Sequence, residues 1–138
     1  MLKKITHFIH EHHVLTLATS HANRPHACSL FYAYDVDTQS FIVASSDETQ
    51  HIQDIIHNPL IAGNILLETN EVGKIQGLQF KGVIEESLKE NQNRLYFKRF
   101  PYAKVLSPKL WIIEVESFKM TDNRLGFGKK LFWNRDES

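Results

Sequence analysis

The chain lacks sequence features that several classes of protein require. Its 138 residues include one cysteine, Cys28, which excludes an internal disulfide and suits a reducing compartment. Sixteen acidic residues balance sixteen basic ones, so the chain lacks the basic excess typical of proteins that bind nucleic acid or anionic membranes. No apolar run approaches the length that crosses a bilayer. We therefore expect a cytoplasmic protein that is neither secreted nor inserted in a membrane.

The residues that are present suffice for one folded unit. Hydrophobic residues make up 42% of the chain, which can supply a core at this length. The sequence shows no internal repeat, low-complexity tract or linker that would divide it. We therefore expect residues 1–138 to form a single domain.

The stretch from Asn23 to Pro59 carries the clearest structural pattern. Its first run is dense in aromatic, β-branched and small residues, and its second run alternates apolar with polar residues. Asp47 and Gln50 then stand three apart ahead of an isoleucine-rich segment, which predicts a capping box at a helix start. In order, we predict a turn at 23–25, a strand at 26–35, a hairpin turn at 36–39, a strand at 40–47 and a helix at 48–59.

The rest of the chain is typical of a strand-rich barrel with helices packed around it. Gly82 lies on the apolar face of a long predicted strand, where it indicates a bend or bulge that lets the sheet close. Pro101 ends a predicted helix. We predict an amphipathic helix at the N-terminus, strands at 13–19, 60–69, 73–87 and 110–118, and a helix at 88–100.

The start of the 48–59 helix is a candidate phosphate site. Free backbone N–H groups at a helix N-terminus attract anions, and the hydroxyls of Ser45, Ser46 and Thr49 stand beside them. Spacing alone favours the simpler interpretation, in which Asp47 and Gln50 cap the helix and no ligand binds. The two roles are compatible, because side-chain capping leaves other N–H groups free.

Four histidines near the N-terminus invite a metal interpretation. No cysteine stands near them at a recognised ligand spacing, and Glu11 is the only carboxylate among them. A solvated helix end explains them better, and we predict no metal site. The four are His7, His10, His12 and His13.

Other chemically reactive or bulky residues have plain structural interpretations. Cys28 lacks a nucleophile motif and is typical of a small buried hydrophobe. Residues 126–130 lack the glycine spacing and the hydroxyl of a phosphate loop. Trp111 is predicted to lie in the core, whereas Phe127 and Trp133 predict either a lid over a cleft or a sealed dimer interface. A basic cluster on the predicted third helix is interpreted as a solvated face: Arg94, Lys98 and Arg99.

The order of these elements resembles a known superfamily. A strand, an Arg-Pro-His hairpin, two more strands, a helix ending in Asn-Pro and a long strand with Phe-Lys-Gly are similar to the pyridoxamine 5′-phosphate oxidase-like, FMN-binding split barrels. The likeness covers nearly the whole chain. Three segments resemble the uncharacterised YhbP-type branch more closely, namely Thr49–His51, Gly77–Gly82 and Thr121–Lys130.

The resemblance implies a mainly β split barrel with flanking helices, and a homodimer with a flavin in each of two clefts at the subunit interface. Carried over by position, Ser29, Leu30 and Phe31 line the flavin. Superfamily members commonly have Arg and Lys at the positions of Gln50 and His51, and a neutral imidazole attracts a dianion less than a fixed cation does. The residues implied to hold the phosphate are Ser45, Ser46, Thr49, Gln50 and His51.

The function implied by the resemblance is FMN binding, with the flavin carrying out oxidoreductase chemistry on an unknown substrate. The chain is unlike true pyridoxamine phosphate oxidase in its substrate-binding motifs, so that reaction is not assigned, and no catalytic residue is named. Two alternatives stand beside this function. One is a non-catalytic binding module for flavin, haem or another planar ligand, and the other is a relic of the fold without a cofactor.

Overall fold

The computed structural model describes residues 2–137, in which antiparallel strands form one sheet and helices pack on it. None of the helices in this range is long and apolar enough to span a membrane. The helices are α1 (Leu2–Glu11), α2 (Gln50–His57) and α3 (Glu90–Arg99). The strands are β1 (Val14–His21), β2 (Arg24–Asp35), β3 (Ser40–Ala44), β4 (Leu60–Leu67), β5 (Gln76–Glu86), β6 (Leu110–Asp122) and β7 (Lys130–Asn134).

Six of the strands close into a barrel. The order β3-β2-β1-β4-β5-β6 returns on itself because β3 also pairs with β6. One edge of β6 pairs with β5, while its other edge is shared between β3, along Leu110–Glu114, and β7, along Ser117–Thr121. Among the described residues, closure pairs both edges of β6 and leaves residues 24–31 of β2 with one unpaired edge. The predicted split β-barrel with flanking helices is confirmed.

Gly82 lets the barrel close, which confirms the bulge predicted from its position in the sequence. The register between β5 and β6 shifts at Lys81 and Gly82, which marks a bulge. A Cβ atom on Gly82 would lie 2.3 Å from the carbonyl oxygen of Glu114. Only glycine therefore allows the two backbones to approach this closely.

The core fills the barrel and extends under α1 and α2. The strands alternate, so that Leu15 and Leu17 of β1 point inward together with Leu78 and Phe80 of β5. Helix α1 contributes three buried residues at helical spacing, which confirms its predicted amphipathic face: Ile5, Phe8 and Ile9.

Arg99 is not on a solvated face, so that part of the prediction for α3 is wrong. Its guanidinium donates to the backbone carbonyls of Tyr32 (3.0 Å) and His10 (3.3 Å), and also to that of His12. It also lies 5.0 Å from the centre of the Tyr32 ring. These contacts satisfy orphan carbonyls at the end of α1 and hold α3 on the barrel. Arg94 is exposed, as predicted.

Several element boundaries differ from the expected ones. The first tight turn is centred on Ala22 and Asn23, both with positive φ, so β2 already begins at Arg24. Strand β3 ends at Ala44 rather than at residue 47, and β6 continues to Asp122. Strand β7 was not predicted from the sequence.

Candidate functional site

The barrel is split where β3 leaves β2. Within β2, strand β3 pairs with Tyr32–Asp35 only, and residues 24–31 of β2 pair with β1 alone within the described chain. After β3 the chain runs through Ser45–His51 into α2. The imidazole rings of His26 and His51 stand 6.3 Å apart, centre to centre, across the gap. We call the space between the open edge of β2 and Ser45–His51 the split cleft.

Three of the predicted phosphate residues form one cluster at this cleft. The hydroxyl of Ser45 hydrogen-bonds with Nε2 of His51, and the Thr49 hydroxyl lies 3.2 Å from the same nitrogen. The two hydroxyl oxygens are 3.5 Å apart. Ser46 is exposed, and its carbonyl accepts a 2.8 Å hydrogen bond from the Thr49 hydroxyl. The strand-to-helix turn thus gathers two hydroxyls and one imidazole.

The predicted capping box is wrong. Helix α2 begins at Gln50 with Thr49 as its N-cap residue, and no side chain caps it. The Asp47 carboxylate instead accepts a 3.0 Å hydrogen bond from Lys109 Nζ. The Gln50 amide donates to Asp54 Oδ1 at 2.8 Å. Because β3 ends three residues early and the helix starts two residues late, Asp47 lies outside the first turn, whose N–H groups keep no side-chain partner.

The charge of this cluster depends on pH. Burial lowers the pKa of His51 below its usual value, His26 lowers it further, and Asp54 partly opposes the shift. The His51 imidazole is therefore neutral at pH 7. Hydrogen bonds from Thr19 and Gln50 lower the pKa of the Asp54 carboxyl, so this buried group is ionised. The negative charge of an anion bound here must therefore be offset by protons taken up by the imidazoles or by other hydrogen-bond donors.

The three predicted flavin-lining residues of β2 are divided between its two faces. Ser29 and Phe31 point outward and are exposed, whereas Leu30 packs against the barrel core. The period of two in a strand requires this separation, so Leu30 does not share a face with Ser29 and Phe31. The Phe31 ring is 56% exposed and packs 5.4 Å from the Phe100 ring.

Trp111 positions the cluster through a hydrogen bond to the backbone of Ser45. It is buried in β6, as predicted, and its indole N–H donates to the Ser45 carbonyl at 3.0 Å. Lys109 Nζ lies 5.0 Å from the centre of the indole ring. The sequence indicated a core tryptophan but not its contact with the site, because the two residues are 66 positions apart.

The outer face of the sheet extends from β2, the strand that borders the split cleft, to β7. The strand registers place one row of residues across β2, β1, β4, β5, β6 and β7. A groove of about 540 Å³ crosses this face. Most of the row is polar without charge, and it runs Ser29, Thr16, Asn64, Gln79, Lys119 and Phe132.

The other residues considered from the sequence lie away from the cleft or serve the core. His7 pairs with Glu11 at 3.4 Å, and no group of three or more metal-ligating side chains occurs among residues 2–137. Cys28 packs against the core, and burial raises the pKa of its thiol. Phe127 is 84% exposed, whereas Trp133 packs on Phe118 at 5.6 Å between ring centres.

His26 is the site residue that sequence reasoning missed. It lies on the same face of β2 as Cys28 and Leu30, beside the core. Its neighbour across the cleft, His51, is 25 residues further along the chain. The Arg-Pro-His motif contains His26, but only the path of β3 and α2 brings the two rings together.

Comparisons with known proteins agree with this architecture. A family model described as pyridoxamine 5′-phosphate oxidase matches residues 1–121. A UPF0306 protein of Klebsiella pneumoniae is 38% identical over 98% of this chain and 94% of its own length. A UPF0306 protein of Enterobacter sp. is 39% identical over 99% of this chain and 98% of its own.

Solved structures show the same fold at low identity. A Clostridium acetobutylicum protein related to general stress protein 26, of the pyridoxinephosphate oxidase family, has a TM-score of 0.74 at 15% identity, over 99% of this chain and 95% of that one. A FAD-binding protein of Mesorhizobium loti has 0.74 at 16%, over 87% and 91%. A haem-binding protein of Mycobacterium smegmatis has 0.76 at 18%, over 91% of this chain and 54% of that one, so this chain spans about half of it.

Proposed function

Since this chain belongs to the pyridoxamine 5′-phosphate oxidase family, we propose that it is a cytoplasmic FMN-binding homodimer that serves as an oxidoreductase. The observation that carries the proposal is the meeting of Ser45, Thr49 and His51 at an uncapped helix start, opposite the open edge of β2. The cleft thus presents polar donors on one side and unpaired strand backbone on the other.

The donors suit a phosphate monoester. Two hydroxyls and the first-turn N–H groups of α2 can donate to phosphate oxygens, and the helix dipole favours negative charge at this end. Ser45, Thr49 and His51 already lie within hydrogen-bond distance of one another, so their side chains need little reordering. Gln50 is held by Asp54 and lies at the rim of the cluster.

The open edge of β2 suits a planar ring. Unpaired N–H and C=O groups along residues 24–31 can hydrogen-bond with the polar edge of an isoalloxazine, and the exposed Phe31 ring supplies an apolar contact. Bound FMN supplies hydride or electron transfer at its ring. The residues of the chain bind and orient it, and Ser29 lies where the outer face meets this edge.

Exposed apolar residues on the outer face of the sheet support the homodimer. Phe31 is 56% exposed, Phe132 53% and Val14 44%, and the row between β2 and β7 is largely uncharged. Exposed apolar surface beside a ligand cleft is typical of an interface, and a two-fold dimer pairs such a face with itself. We therefore place the ligand clefts at the subunit interface.

We expect sedimentation to show a dimer at micromolar concentration. Phe31→Glu places a charge in the interface and should shift the protein to monomer, whereas Tyr102→Glu, which alters a 91% exposed ring on another surface, should not. A wild-type monomer at this concentration, or equal effects of the two substitutions, would refute the interface.

The visible spectrum of the purified protein tests the function. We expect a yellow protein with flavin bands, whose flavin is bleached by NADH or NADPH if the protein is an enzyme. Flavin bands without bleaching by either donor would indicate a carrier. A colourless protein that takes up neither FMN nor riboflavin would refute flavin binding.

The second candidate is a non-catalytic haem-binding module. One structural neighbour is a haem-binding protein, and His26 and His51 at the split cleft are residues of the type that ligates haem iron. A Soret band in place of flavin bands would favour this function over the first.

A further inference from the structure

Two imidazoles face each other across the split cleft. The rings of His26, on β2, and His51, on α2, are nearly parallel, with 9° between their planes. His51 is 7% exposed, and its Nε2 already interacts with the two hydroxyls of the cluster. His26 is partly exposed at the open edge of β2. The pair therefore sets a second imidazole 6.3 Å, centre to centre, from the one that contacts the hydroxyls.

We propose that His26 is the second imidazole of the phosphate site, and that the His26–His51 pair makes the binding of a phosphate monoester take up protons. The proposal rests on the proposed function, because it concerns the same cleft. It adds one binding residue and a regulation by pH. A site built from fixed cations, as in related proteins with Arg and Lys, has no such dependence near neutral pH.

The physical reason is the charge balance of the cleft. An isolated imidazole is mostly neutral above a pH of about 6.5. Burial and the neighbouring His26 ring lower the pKa of His51, so His51 stays neutral at lower pH than an isolated imidazole. A dianionic phosphate beside both rings stabilises their charged forms, because opposite charges in a desolvated site attract strongly. At neutral pH the protons therefore enter with the ligand.

Other charged groups near the pair do not supply the positive charge that these protons bring. The Asp54 carboxylate interacts electrostatically with both rings, and its oxygens accept hydrogen bonds from Thr19 and Gln50. Lys109 is paired with Asp47 at 3.0 Å and with Glu86 at 3.6 Å. The other titratable groups on β1, β2, α2 and the turn before α2 are His21, Arg24, Cys28, Tyr32, Tyr34, Asp35, Glu48 and His57.

The pH dependence has a defined direction. Affinity for FMN should rise as pH falls from 8 toward 6, by up to about tenfold per pH unit for each proton taken up. Below a pH of about 6 the phosphate monoester gains its own second proton, and the rise should level off. Riboflavin, which has no phosphate, should bind equally across this range.

Titration calorimetry measures the protons directly. FMN is titrated into the protein at pH 7.5 in several phosphate-free buffers that differ in ionisation enthalpy. We expect more proton uptake by wild type than by His26→Gln, and none for riboflavin. The control is His57→Gln, which alters a separate stacked imidazole pair, His21–His57, whose ring centres are 4.3 Å apart. It should keep the wild-type number.

The outcomes separate this inference from the function beneath it. FMN binding without proton uptake, or with the same uptake in His26→Gln, overturns the role of the pair and leaves the flavin site standing. Failure of both FMN and riboflavin to bind overturns both. A second measurement needs no variant: NMR of the wild-type imidazoles with inorganic phosphate should show His26 and His51 charging at higher pH than without it, and no change overturns the inference.

Discussion

Gln50→Arg should tighten the binding of FMN by roughly tenfold to a hundredfold. A charge-assisted hydrogen bond contributes about 1.5–3 kcal/mol, and each 1.4 kcal/mol is a factor of about ten in affinity. Gln50 is exposed at the first position of α2, where its amide donates to Asp54. Arginine has five N–H donors, so one of them can keep the hydrogen bond to Asp54 while others donate to the phosphate.

Riboflavin and a second arginine are the controls for this prediction. Riboflavin has no phosphate and should gain little from Gln50→Arg. Gln53→Arg adds the same charge further along α2, where Gln53 bonds with the Asp47 carbonyl at 2.7 Å, and should gain much less. Fluorescence titrations in which both ligands tighten equally, or neither does, would show that the start of α2 binds no phosphate.

Gly82→Ala should destabilise the protein by about 3 kcal/mol. The new Cβ atom would lie 2.3 Å from the Glu114 carbonyl oxygen and 3.1 Å from its carbon, and both are backbone atoms. Overpacking of this kind costs about 1–3 kcal/mol and sometimes more. Relief would require β5 and β6 to separate at the bulge, where the barrel closes.

Gly77→Ala in the same strand is the matched control. Its nearest neighbour would be the Ile65 carbonyl oxygen at 3.9 Å, an ordinary contact. We expect a change in the free energy of unfolding within about 0.5 kcal/mol, measured by urea denaturation. Equal losses for the two alanine variants would show that the close approach at Gly82 does not hold the barrel together.

Much of the fold follows from local sequence patterns. The alternation in β1 and β5, the helical spacing in α1 and the glycine of the bulge each fix an element without knowledge of its neighbours. Strand β7 was missed because it depends on an edge of β6 that β3 leaves free. Arg99 was misread because its partners are backbone carbonyls nearly 70 to 90 residues away.

The candidate site also contains residues that local sequence patterns predict and residues that they do not. Ser45, Thr49 and His51 lie within seven residues of one another, so one strand-to-helix turn brings them together. The residue pattern predicts the hydroxyls, and the family resemblance adds His51. The capping box failed because a shift of two or three residues in the element ends removed Asp47 from the first turn. His26 enters the site only through the path of β3, which local spacing does not encode.

Backbone NMR of the protein titrated with FMN and, separately, with riboflavin tests the phosphate site most directly. We expect the amides of Ser45–His51 and His26 to shift with FMN alone, and those of residues 29–31 to shift with both ligands. Shifts confined to the cleft of about 410 Å³ between α1 and the end of β6, which Lys3, Lys4, His7 and Arg124 line, would contradict the account. So would identical maps for the two ligands.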